Sequence, residues 1–140
     1  MDERISPETG NVLRRDVRPF EVSYNGQTIR VDLPGWYGED AADSIHSGID
    51  LVVSDRALNT IKARVAQVVD PAQILRIRKK LKLTQRRAGE IIGGGANAFQ
   101  KYEAGDVVAS QAMSHLLRLL DKHPELLAEI ESHAGADKVA

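Results

Sequence analysis

Phe20, Val22 and Tyr24 alternate with polar neighbours, the pattern breaks at Asn25-Gly26, and Ile29, Val31 and Leu33 then alternate again. Period-two runs on either side of Asn-Gly predict a β-hairpin, because both turn residues must accept positive φ. Pro34-Gly35 is expected to end the second strand. The spacing then becomes helical: Leu58, Ile61, Val65 and Val68 follow Ser54, which offers an N-cap, so a helix is predicted from about residue 55 to 67. Asp70-Pro71 opens the second half, since Asp caps well and Pro is tolerated at the first helical position.

From there only helices are predicted. The first runs over about 71–81 on Ile74, Ile77 and Leu81, and the second is capped by Thr84 and runs to about Ile92. A third spans about Ala96 to Ala104 and closes on Gly105. In the fourth, behind Ser110, Met113, Leu116, Leu117 and Leu120 keep the i, i+3, i+4, i+7 pattern. His123-Pro124 stops that helix and starts a fifth through Leu127 and Ile130, with fraying expected from Ser132. The implied class is α+β in two small domains. A β-hairpin-rich domain with one helix covers 1–66 and a short linker covers 67–70, with Ala66 to Val69 a candidate hinge. A five-helix, all-α helix-turn-helix domain covers 71–133, and a frayed tail covers 134–140.

Composition narrows the function classes. The 140 residues are 42% hydrophobic and 28% charged, ordinary for a globular protein. No apolar run approaches the roughly 18 residues of a membrane span, so no membrane partner is expected. Met1-Asp2-Glu3-Arg4 places acid where a signal peptide needs a basic start, so a cytoplasmic protein is expected. The absence of cysteine excludes disulfides and thiolate metal sites. Charge is split along the chain: residues 1–70 carry 8 Lys/Arg against 12 Asp/Glu, or −4, whereas residues 71–140 carry 11 against 8, or +3. Between positions 74 and 101, Arg76, Arg78, Lys79, Lys80, Lys82, Arg86, Arg87 and Lys101 face only Glu90, a local +7 that suits a phosphate backbone or, equally, a solvated helix face.

Two short helices joined by a glycine turn among basic residues have the form of a helix-turn-helix. Gln85 opens the first of the pair and is placed to reach a phosphate. Gly89 lets the next helix cross closely, and Gly93 supplies a turn without Cβ strain. The following helix is then the one that enters the major groove. On it, Phe99 and Tyr102 should face the core, while Asn97, Gln100 and Lys101 point outward as base-contacting candidates. Asn can bond adenine N6 and N7, and Lys can donate to guanine O6 and N7. Thr84, Gln85, Arg86, Arg87 and Ala96 are the backbone-contacting candidates, which set register rather than sequence. The plainer alternative leaves all of them as exposed polar positions on a helical bundle.

Over Ile77 to Ile130 the chain resembles the MqsA antitoxins of type II toxin–antitoxin systems, whose helix-turn-helix is of the Xre/Cro-CI type. The strings that carry the resemblance are Arg78-Lys79-Lys80-Leu81, Leu83-Thr84-Gln85, Gly93-Gly94-Gly95-Ala96-Asn97-Ala98-Phe99 and Asp121-Lys122-His123-Pro124-Glu125-Leu126-Leu127. The resemblance implies a C-terminal domain that forms a homodimer and binds a palindrome in its own promoter, with Asn97 and Lys101 reading bases. The family commonly has Arg at the second position, and Lys lacks the bidentate fork. It also implies an N-terminal zinc-finger-like domain that holds zinc through two Cys-x-x-Cys pairs and contacts the toxin. Ser6, Thr9, Gly38 and Ala41 stand where those ligands belong and none supplies a thiolate, so no metal or other cofactor is expected. His46, His115, His123 and His133 are too scattered to rebuild the site.

Catalysis is not expected. Gly93-Gly94-Gly95 lacks the Gly-Lys-Ser/Thr of a P-loop, and no nucleophile-base order stands out. The leading expectation is an antitoxin that neutralises a cognate toxin, a RelE-like mRNA interferase by the family resemblance, and represses its own operon. The hairpin around Asn25-Gly26 and the Trp36-Tyr37 pair are candidates for the toxin contact, with core packing an equal alternative for the pair. The N-terminal half is expected to be held by packing and to stiffen when toxin binds. The competing functional expectations are a stand-alone helix-turn-helix repressor and a protein-interaction adaptor.

Overall fold

A computed structural model describes residues 3–40 and 42–139 and divides the chain into two compact units, Met1–Ile61 and Lys62–Ala140. The first carries a four-stranded antiparallel sheet in chain order: β1 (Glu3–Ile5), β2 (Val12–Tyr24), β3 (Gln27–Tyr37) and β4 (Ser44–Ile45). Its centre is the expected hairpin. Tyr24 pairs with Gln27 across Asn25 (φ 51°) and Gly26 (φ 82°), and the register continues through Val22↔Ile29 and Phe20↔Val31 to Arg14↔Tyr37. Two positive φ values in succession make this the primed turn that matches strand twist.

Pro34-Gly35 does not end the strand. Pro34 pairs with Val17 and Gly35 with Asp16, and β3 continues to Tyr37. Proline is tolerated because β4 pairs only with Trp36 and Tyr37, so no neighbour needs an N–H from Pro34. Its carbonyl lies 2.8 Å from His46 Nδ1. Gly35 is needed for close approach: a Cβ there would lie 2.5 Å from the His46 ring and 2.9 Å from the Ile45 carbonyl oxygen. The edge strands β1 and β4 are too short to show a period in sequence.

The helix expected from about residue 55 is α1 (Gly48–Val65), which starts about two turns earlier. Ser47 and Asp50 form a reciprocal pair: the Ser47 amide donates to Asp50 Oδ2 and the Asp50 amide to Ser47 Oγ. That closes the first turn in the manner of a capping box. Ser54 therefore lies inside the helix, where its hydroxyl donates to the Leu51 carbonyl. Asp50 is 1% exposed and accepts both Nη groups of Arg15 on β2, which ties the start of α1 to the sheet. Leu13, Val22, Leu33, Trp36 and Tyr37 are buried in this unit, and Arg4 and Arg15 lie 3.9 and 4.5 Å over the Trp36 ring.

The second unit is helical: α2 (Pro71–Lys80), α3 (Gln85–Ile91), α4 (Ala98–Ala104), α5 (Gln111–Lys122), a 3-10 turn at Pro124–Leu126, and α6 (Leu127–Val139). Asp70 and Gln73 form a complete capping box for α2. Thr84 caps α3 by accepting the Arg87 amide, and Ser110 caps α5 by accepting the Met113 amide. Ile74, Ile77, Leu81, Ala88, Phe99, Leu117, Leu120 and Leu127 make one core, as the helical spacing required. The segment 67–70, expected as a linker, is packed into this unit. Val69 is 2% exposed and donates its amide to Ser114 Oγ, while Arg118 donates to the Gln67 carbonyl. The backbone of α6 runs on to Val139, past Ser132, where fraying was expected. Among the described residues no helix is long and apolar enough to cross a membrane.

Candidate functional site

α3 and α4 are short helices joined by a glycine turn, and Gly89 is where that turn comes closest to α3. A Cβ on Gly89 would stand 1.8 Å from the Gly95 carbonyl oxygen, and the Gly95 amide donates to the Gly89 carbonyl at 3.2 Å. The turn itself runs through Gly93, Gly94 and Gly95 at φ 136°, 97° and 95°, values that L side chains rarely adopt. Phe99 is fully buried and meets Tyr102 edge-on at 5.6 Å, so these two fix which face of α4 turns inward.

The opposite face carries the predicted base-contacting residues. Asn97 is the N-cap of α4, exposed and without a side-chain capping bond, so its amide is not consumed by the helix end. Gln100 and Lys101 are also exposed. Asn97, Lys101, Gly94, Gly95 and Ala96 line one open depression, with Val107 at its edge.

The charge around this face is more selective than the sequence window suggested. Arg76 and Lys80 pair with Asp121, and Arg78 pairs with Glu103, both acids lying outside the 74–101 stretch. Arg86 reaches Glu90 at 3.5 Å, one turn along α3. Lys79, Lys82, Arg87 and Lys101 are exposed and make no ion pair among the described residues.

The Arg78–Glu103 pair is internal. Their side chains are only 13% and 6% exposed, and the hydrogen bond to Glu103 raises the Arg78 pKa. Arg78 also donates to the Leu83 carbonyl. Gln85, expected to reach a phosphate, donates from its amide to Glu103 Oε1 at 3.1 Å, so this side chain serves the internal network. Thr84 is exposed, but its hydroxyl accepts the Arg87 amide. Glu103 and Asp121 were missed because they lie far from their partners in sequence.

In the N-terminal unit the positions implied as lost zinc ligands are described except Ala41, which lies outside the described residues. Ser6 is 2% exposed and its hydroxyl donates to Asp43 Oδ1 at 2.7 Å, while Thr9 Oγ1 donates to Asp43 Oδ2 at 2.7 Å. Gly38 donates its backbone amide to the Asp43 carbonyl. Sequence reasoning gave no weight to Asp43. His46 sits between the Pro34 carbonyl and Ser44, and His115, His123 and His133 are exposed on the other unit. Among the described residues no three His, Cys, Asp or Glu side chains gather as a metal site. Trp36 and Tyr37 are core residues at 8% and 9% exposure. The apolar side chains left on the surface of the ribbon are Val12, Val17, Phe20 and Tyr24.

Comparison with known proteins bears on these features together. Residues 7–131 match the model of a family described as the antitoxin component of a bacterial toxin–antitoxin system, MqsA. The chain is 40% identical over 114 residues to the antitoxin MqsA of Escherichia coli strain K12, covering 79% of this chain and 87% of that protein.

Proposed function

The chain belongs to the MqsA antitoxin family, and on that premise we propose that it neutralises a cognate toxin with its N-terminal unit and represses its own operon with its C-terminal unit. The observation that carries the DNA-binding half is the α4 face. Asn97, Gln100 and Lys101 are exposed on a helix whose other face is pinned by buried Phe99. Asn97 takes adenine through its amide, Lys101 takes guanine as a point donor, and Gln100 adds a further polar contact at the same groove. Arg87, Arg86 and the Thr84 and Ala96 backbone lie where phosphates pass and set the register.

Repression of a palindrome requires two copies. Leu119 is 53% exposed on the otherwise amphipathic α5, beside His115 and Arg118, and we assign this strip to a homodimer. A two-fold dimer of this kind spaces its reading helices by about 34 Å, one turn of DNA. For the toxin, a basic RelE-like ribonuclease suits the acidic balance of the N-terminal half, with Phe20, Val17 and Tyr24 of the ribbon as the contact. Nothing in this mechanism calls for catalysis.

Two measurements test the reading. Where a small basic reading frame adjoins the gene, co-expression should restore the growth that the frame alone arrests. Footprinting of the purified chain on its own upstream region should protect two half-sites one turn apart. A toxic neighbour that stays toxic, or an unprotected upstream region, removes the corresponding half of the proposal.

A further inference from the structure

The resemblance implies zinc at the positions of Ser6, Thr9, Gly38 and Ala41, and the residues present do not fit it. Serine and threonine hydroxyls are poor zinc ligands, glycine and alanine offer no side-chain donor, and both hydroxyl protons are already spent on a carboxylate. A cysteine at position 38 would also be crowded, since even its Cβ would lie 3.0 Å from Leu13 Cδ2.

We propose that the buried carboxylate of Asp43 has taken the place of the metal as the cross-link of the N-terminal unit, so that the unit closes with no metal bound. A structural zinc ties two ligand-bearing turns to one centre, and here the same two segments meet at one residue. Asp43 is 7% exposed. Its two oxygens each accept one hydroxyl, from Ser6 and Thr9, which lie 37 and 34 residues away in sequence. The turn around Ser6 is closed on itself: Ser6 Oγ accepts the Glu8 and Thr9 amides, its carbonyl accepts the Gly10 amide, and its own amide donates to the Asn11 carbonyl. The other segment is closed by the Gly38 amide on the Asp43 carbonyl and the Asp43 amide on the Asp40 carbonyl.

The polarity of the centre is inverted. In a zinc site anionic ligands converge on a cation, whereas here neutral donors converge on an anion. Hydrogen bonds to an ionised acceptor are about twice as strong as neutral ones, so a single carboxylate anchors both hydroxyls at once. Metal binding supplies much of the folding free energy of small metallo-domains, so its replacement removes the chelator sensitivity that such domains show.

The experiment is amide hydrogen exchange on the full chain, with and without EDTA and with and without one equivalent of zinc, for wild type, Asp43→Ala and Asp43→Asn. In wild type the segments 6–11 and 38–43 are expected to exchange at rates that neither EDTA nor zinc changes. In Asp43→Ala both segments should exchange at least about tenfold faster, the scale set by losing a hydrogen bond to a charged group. Residues 71–133 should stay as in wild type. Asp43→Asn, which keeps one acceptor oxygen, should fall between. Faster exchange of wild type in EDTA, slower exchange on adding zinc, or an Asp43→Ala protein that exchanges like wild type would each overturn the proposal. The readout uses neither toxin nor DNA, so it stands apart from the antitoxin reading.

Discussion

The guanidinium of Arg78 on α2 clasps the carboxylate of Glu103 on α4 through two hydrogen bonds, Nε to Oε2 at 2.7 Å and Nη2 to Oε1 at 2.8 Å. Glu103 also accepts Gln85 at the start of α3, so one buried acid joins α2, α3 and α4. Removing one partner strands the other charge away from water. Glu103→Ala should therefore cost about 3–5 kcal/mol of stability. Chemical denaturation of the full chain measures it, and a variant within about 0.5 kcal/mol of wild type would mean that the pair is not structural.

Gly89→Ala should destabilise the α3–α4 packing even though alanine favours helix by about 1 kcal/mol. The added Cβ would fall 1.8 Å from a backbone oxygen, which no side-chain movement can relieve. Overpacking of this kind costs about 1–3 kcal/mol. A thermal melt that rises on this substitution would show that the Gly89–Gly95 contact is not tight.

Arg87 is exposed, makes no ion pair among the described residues, and stands at the start of α3. Arg87→Ala should weaken binding to operator and scrambled DNA alike and lower the salt slope by about 1, the mark of one lost phosphate contact. Lys101→Arg should do the opposite and sharpen preference for guanine, because the fork bonds O6 and N7 together. Paired titrations on operator and base-swapped duplexes separate the two effects.

Acid should loosen the C-terminal unit in a defined window. Hydrogen bonds from Arg76 and then Lys80 hold the Asp121 carboxyl at about 2, below its ordinary 3.8. A carboxyl depressed in the folded state contributes stability above its unfolded value and loses it as pH falls through the folded one. The contribution should thus be whole above about pH 4 and vanish toward pH 2. Asp50, held well below the usual carboxylate range by Arg15, adds the same sign in the N-terminal unit. In acid titrations followed by circular dichroism, Asp121→Asn should show a shallower fall across this window than wild type. Equal slopes would contradict the assignment.

The regular elements were legible because local chemistry dictates them. Asn25-Gly26, Asp70-Pro71, Thr84, Gly105 and Ser110 each act on their own neighbours, and each turn or cap stands where it was expected. The errors arose where a distant partner overrides local preference. Pro34-Gly35 stays in β3 because both residues pair with β2 while β4 needs no N–H from Pro34, and 67–70 is packed into the second unit because Ser114 and Arg118 bind it. The early start of α1 was readable in principle, since Ser47-Gly48-Ile49-Asp50 has capping-box form. The positive stretch was overcounted because Glu103 and Asp121 neutralise parts of it from outside. Asp43 could not be singled out at all, since an isolated aspartate gains a role only once Ser6 and Thr9 are folded against it.

The central claim is that the exposed α4 face reads DNA through Asn97. Fluorescence anisotropy with a labelled duplex from the chain's own upstream region, run for wild type and Asn97→Ala across a salt series, tests it most directly. The account predicts tight wild-type binding that falls steeply with salt, and a variant that loses about 1–3 kcal/mol of preference over scrambled DNA while keeping the same salt slope. Weak binding, equal for both sequences and both proteins, would contradict it.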